Sequence, residues 1–182
     1  MKKKIKENED QIFLRQWITF ALKNDHIKEL RENNTNIGDS KYLLSNMIAK
    51  YVTFHSEANL SKSAYKKMVN DGINFDEEHS RRKFYGKKTG YVYEHPIPVN
   101  IVRDKLLERK YSDSEIKNIL SNAGNIWIIT RQEDNRLNEL KLTACLPDGC
   151  KFDSPNSYKE RYKSADIIDS RYQIKIKGAV VR

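Results

Sequence analysis

Apolar side chains recur at spacings of three and four along the first part of the chain. Phe13, Trp17, Phe20, Ala21 and Ile27 mark one face of a helix from about Asp10 to Arg31, and that face is expected to pack into the core. The polar stretch NNTNIGDS interrupts it. Leu43, Leu44, Met47, Ile48, Tyr51 and Val52 then give a second helix, Lys41 to about Phe54, its own stripe. A short third helix follows Asn59, through Ala64 and Met68.

The pattern changes near Asp71. Thr89 to His95, TGYVYEH, alternates and is rich in β-branched and aromatic residues, which predicts a strand ending at His95. Pro96 and Pro98 stop it, because neither can donate to a ladder. A helix from about Val99 to Arg109 follows, and Ser112 with Glu115 forms a capping box for another that ends near Gly124. Asn125 to Thr130 is a short apolar strand, and the segment from Arg131 is a helix with Leu137 and Leu140 on one face. The last predicted strand is RYQIKIKGAVV, in which Ile174 and Ile176 alternate with lysine. Residues 1–70 thus read as an N-terminal helical region. Residues 71–182 read as a mixed region with a C-terminal strand, the two forming one compact α+β domain.

Charge narrows the partners. The 182 residues carry 34 Lys and Arg against 25 Asp and Glu, a formal net charge of +9. Such an excess favours a polyanion, since each base set against a phosphate releases counterions. Arg81, Arg82, Lys83, Lys87 and Lys88 concentrate that charge around Phe84 and Tyr85, a composition suited to a phosphate backbone or to stacking a base, and equally to a solvated loop. No apolar run is long enough for a membrane span, and no apolar stretch follows the basic start as a signal peptide requires, so a cytoplasmic protein is expected. Cys145 and Cys150 are too few for a zinc ribbon, so no structural zinc is expected.

Hydrolysis of a phosphodiester needs a base that titrates near neutrality and oxygen donors for a hard cation. Glu94 and His95 at the end of a strand, with Asp134, Asn135 and Asn138 early in the later helix, provide these groups. Adjacent strand residues point to opposite faces, so Glu94 and His95 act together only where the strand bends, and the prolines supply a bend. His26 and His55 read as surface residues. His79, in DEEHSRR, reads as part of an exposed acidic loop, or as a ligand beside Glu77 or Glu78.

The segments EHPIP and GNIWIITRQEDNRLN resemble the two halves of the HNH, or ββα-metal, endonuclease motif, and ITRQEDNR is similar to the matching part of the HNH domain of CRISPR RNA-guided nucleases. The resemblance covers Gly90 to about Leu142. It implies a ββα-metal module, here with a helical insertion between its halves and an N-terminal helical region beside it. His95 would activate water, Glu94 and Asn135 would be ligands of Mg2+ or Mn2+ with Asp134 as an alternative, and Asn125 would brace the histidine. Arg131 and Arg136 would hold the phosphate. The function so implied is DNA cleavage; small size and a basic helical region suit a restriction or phage-defence enzyme, and a homodimer is expected to the extent that cutting both strands needs two active sites rather than two passes. A nucleic-acid-binding protein without catalysis and a ribonuclease toxin are the alternatives, with RNA as the other polymer.

Overall fold

The structure is a computed structural model that describes residues 7–24, 38–86, 88–153 and 157–177, with the backbone alone at 38–40. Among the described residues the chain is a mixed α+β fold: seven α-helices surround one four-stranded sheet.

Helix α1 (Glu9–Lys23) starts at Asn8, whose side chain accepts from the Gln11 amide while Gln11 accepts from the Asn8 amide, a reciprocal cap. The same two residues turn the helix. Gln11 is fully buried and donates to the Tyr51 carbonyl, and Asn8 donates to the Phe54 carbonyl, so they satisfy the last carbonyls of α2 (Gly38–Thr53). With Gln11 facing inward, Ile18 and Leu22 enter the core, whereas Phe13, Trp17 and Phe20 are carried to the opposite face at 58%, 51% and 65% exposure. The expectation that the aromatic stripe packs inside is therefore corrected. Leu43 and Leu140, also expected on packed faces, are exposed too. The helix ends at Asn24, and Ile27 and Arg31 lie outside the described residues.

Strand β1 (Glu57–Ser61) precedes the expected short helix, and Ser61 caps that helix, α3 (Lys62–Asn70), by accepting from the Ala64 amide. A single 3-10 turn at Arg81–Phe84 leads to β2 (Tyr91–Glu94). Helices α4 (Val99–Leu107) and α5 (Asp113–Asn122) separate β2 from β3 (Trp127–Thr130), which runs straight into α6 (Arg131–Glu139). A further short helix, α7 (Ser157–Ser164), precedes β4 (Asp169–Lys175). The sheet order is β2-β3-β1-β4, with β2 antiparallel to β3, β1 parallel to β3 and β4 antiparallel to β1.

Three apolar clusters hold the molecule. Leu60, Met68, Phe84, Tyr91 and Ile128 pack on the face covered by α3. Trp127, Ile129, Leu137 and Tyr162 pack on the face covered by α6 and α7. The third cluster joins α1 and α2 to the inserted α4 and α5 through Ile18, Ile48, Leu106 and Leu120. The N-terminal helices and the insertion thus share one core, while β1, from the first 70 residues, lies in the middle of the sheet.

Candidate functional site

The bend after β2 is built by pairing and by one buried arginine. Tyr91 to Glu94 pair with Thr130 to Trp127, placing Glu94 opposite Trp127 and His95 just past the last pair. Gly124 closes the return from α5: its φ is +80°, and a Cβ there would meet Pro96 Cγ at 3.0 Å, so glycine lets the turn before β3 approach the bend after β2. Beneath the bend lies Arg161 of α7, with no exposed surface. Its Nε donates to the Leu142 carbonyl at 2.7 Å and Nη1 to the His95 carbonyl at 3.2 Å and the Pro96 carbonyl at 3.4 Å. Its Nη2 pairs with the Glu94 carboxylate. Arg161 carried no signal in the sequence, where YKERYKS reads as a solvated surface.

Glu94 faces α6 and α7. Burial pushes its carboxyl up, Arg161 pulls it back, and the charge of Asp134 raises it again. Asp134 is thus the α6 carboxylate whose charge reaches Glu94; its Oδ2 accepts from Arg131 Nη1 at 3.0 Å. Asn135 is exposed, and Asn138 is spent locally, its Nδ2 donating to the Asp134 carbonyl at 3.0 Å. Arg136 pairs with Asp166 on the surface.

His95 turns the other way, towards α2. Its Nε2 donates to the Ala49 carbonyl over 3.4 Å, which in the neutral ring leaves the lone pair on Nδ1. Burial lowers its basicity, the Ala49 carbonyl opposes that, and Arg161 adds to it. Glu94 and His95 therefore diverge, as strand geometry requires. Asn125 buries its Oδ1 without a hydrogen-bond partner beside a cavity of about one water's size, lined also by Glu7, Tyr51, His55 and Ser121.

His55 and His79 both differ from expectation. His55 is half-buried and accepts through Nε2 from Gln11 Nε2 at 2.8 Å, and burial, followed by the charge of Arg81, pushes it down to about 4. His79 is buried; its Nε2 donates to the Asn74 carbonyl at 2.6 Å and its Nδ1 accepts from Lys83 Nζ at 3.3 Å, so it is a structural pin with Glu77 and Glu78 left exposed. The basic segment splits as well. Arg82, Lys83 and Lys88 are exposed beside Tyr85, whereas Arg81 lies over the Phe54 ring at 5.0 Å with Nε and Nη2 buried and without hydrogen-bond partners. Lys87 lies outside the described residues. Cys145 and Cys150 are free thiols.

Among the described residues, no three His, Cys, Asp or Glu side chains gather into a group that could hold a metal ion, and no helix is long and apolar enough to cross a membrane. The chain matches no family model, no curated protein and no solved structure.

Proposed function

We propose that this protein is a metal-dependent endonuclease that hydrolyses phosphodiester bonds in DNA, with His95 as the general base. The observation that carries the reading is the run of β2 into a bend at Glu94-His95, paired antiparallel with a strand that leads directly into α6 and its Asp134. A restriction or phage-defence role suits such an enzyme.

The donor chemistry fits a hard divalent cation such as Mg2+ or Mn2+. Two carboxylates, Glu94 and Asp134, repel each other in a partly buried setting, where added positive charge lowers the energy. Mg2+ commonly uses one or two carboxylates and takes its remaining ligands from water and substrate phosphates, so a larger protein cluster is not required. Bound there, it would neutralise charge developing on the phosphate. The chain's own contribution is then a neutral imidazole, kept so by burial, and a rigid bend held from below by Arg161. Arg82, Lys83, Lys88 and the exposed ring of Tyr85 would receive the backbone and a base.

A second reading, binding without catalysis, is favoured by two observations: Glu94 and His95 diverge, one towards α6 and α7 and the other towards α2, and each already has a partner within the chain, Arg161 and Ala49. Incubation with plasmid DNA, single-stranded DNA and RNA, each with Mg2+, Mn2+ or EDTA, separates the readings. The nuclease cuts DNA with metal and not with EDTA. Retention of DNA in a mobility shift under all three conditions, with every polymer intact, would instead establish the binder; cleavage confined to RNA would identify a ribonuclease.

A further inference from the structure

We infer that the β4 edge of the sheet carries a stacking platform for an unpaired base of single-stranded nucleic acid, a site that rests on nucleic acid being the partner but not on cleavage. Tyr172 of β4 and Tyr65 of α3 form the platform, and Lys62 and Lys66 receive the phosphates. The two tyrosine rings lie face to face, 4.1 Å between centroids and 8° from parallel. Phe75 packs against Tyr65 at 5.2 Å and so steadies the stack from within the chain. Tyr172 is 52% exposed, and among the described residues no ring other than that of Tyr65 lies against it. An exposed ring at the end of a stack, stiffened from behind, is a surface on which any base can lie. The backbone presents it: β4 shifts register against β1 between Asn59 and Ser61, and Arg171 there takes a left-handed φ of +66°. The Asp169 carboxylate holds that turn by accepting from the Arg171 amide at 2.8 Å, and the Ser170 hydroxyl by accepting from the Tyr172 amide at 3.1 Å.

Charge selects the occupant. Helix α3 sets Ala64 and Met68 on the sheet. On one flank Lys67 pairs with Asp71 and stands over the Tyr91 ring of β2, while on the other Tyr65 reaches β4. Helical spacing places Lys62 three residues before Tyr65 on its flank, and Lys66 four beyond Lys62. Both lysines are exposed, and neither has an acidic partner among the described residues. The neighbouring acids are turned elsewhere. Asp169 extends its charge to Tyr158 of α7 on the other face of the sheet, and Asp166 pairs with Arg136. Glu77 belongs to the loop of Phe75, at the closed end of the stack, and accepts from Asn74. Free cations beside a free ring fit a strand whose base stacks while its phosphates are neutralised. An apolar protein surface laid here would bury two unpaired charges. In a duplex the bases stack on one another, so the ring engages an unpaired base. The platform lies at the opposite edge of the sheet from β2, about 14 Å away over three strand spacings, and is thus separate from the bend at Glu94-His95.

Fluorescence anisotropy of the full chain with labelled single-stranded DNA, single-stranded RNA and duplex DNA, each about 20 nucleotides per strand and so long enough to fill such a site, tests this in EDTA, where metal-dependent cleavage does not contribute. Tyr172→Ala should weaken single-strand binding about tenfold, within the range of one stacked base, while losing less than about twofold on duplex. It should keep the wild-type circular dichroism and the wild-type salt dependence. Tyr172→Trp should retain the affinity and Tyr172→Leu should not, which separates a stacking face from an apolar filler. Lys62→Ala and Lys66→Ala should each weaken binding and lower the slope of log affinity against log salt by about 0.7. Wild-type affinity for single strands in Tyr172→Ala overturns the platform, as does an equal loss on duplex or a wild type that binds no single strand. If that last result comes with a dimer in sedimentation that Tyr172→Ala dissolves, the face belongs to a second copy instead. Single-strand binding through Tyr172 by a chain that never cuts upholds the platform and contradicts the nuclease. Cleavage by a chain whose single-strand affinity ignores Tyr172 does the reverse.

Discussion

Arg161 holds the bend after β2 through four hydrogen bonds, to Leu142, His95, Pro96 and Glu94. Replacing it with alanine leaves the Glu94 carboxylate and the carbonyls of Leu142, His95 and Pro96 without their donor in a buried setting. Breaking one side of a buried ion pair costs about 3–5 kcal/mol, so Arg161→Ala should lose that much in urea unfolding, and Arg161→Lys should recover only part, having one nitrogen where three are used. A loss below about 1 kcal/mol would show that the bend stands without it. The titration of His55 gives a second expectation. Burial, with Arg81, holds it at about 4 in the folded chain, against a usual value of 6.5. Between those values the unfolded chain binds a proton that the folded chain refuses, so stability is complete above about 6.5 and falls as pH drops towards 4. His95, lowered by burial, acts in the same direction, and Glu94, raised, acts against it. The urea midpoint should therefore fall between pH 7 and pH 5, and by less in His55→Asn; a flat midpoint would contradict the assignment. His95 at a strand end was legible because two prolines follow it, whereas the burial of Arg161 and His79, in locally polar sequence, and of His55, just past the end of a helix, was not.

At the scale of elements, the strand-to-helix passage at β3-α6 is the most strongly specified local feature. Thr130 accepts from the Glu133 amide, and Glu133 Oε2 accepts from the Thr130 amide at 2.8 Å, its hydroxyl at 3.0 Å and Ser61 Oγ at 2.7 Å. One buried carboxylate thus fixes the starts of both α6 and α3. Thr130→Ala should cost about 1 kcal/mol, and with Glu133→Ala the two losses should fail to add, because they share one network; strict additivity in urea melts would deny the coupling. Helices α2, α4 and α5 and strands β2 and β3 were readable from periodicity, prolines and the Ser112 cap. Strand β1 was missed because EANLS is five residues long and flows into a helix; α7 was missed because SYKERYKS has almost no apolar stripe. The facing of α1 was reversed because the helix has two apolar stripes, and the choice between them is made by Gln11, through bonds to a distant helix end.

Across the whole molecule, the helical segment between β2 and β3 is not an appendage. Helices α4 and α5 complete the core of α1 and α2, and this four-helix unit carries Ala49, the partner of His95, and Tyr51 and His55, the neighbours of Asn125. The candidate site therefore lies at the seam between a helical half and a sheet half, which long-range pairing creates and local sequence does not reveal. The net charge of +9 suits a nucleic-acid substrate but does not distinguish cutting from holding. The comparison that does so is the metal-dependent nicking of supercoiled plasmid by the wild type and by His95→Ala, each first shown to be folded and equal in DNA affinity. The wild type should nick with Mg2+ or Mn2+, and His95→Ala at least about a hundredfold less, as expected for loss of a general base. Equal cleavage by both proteins, or none by either, would contradict the proposed function.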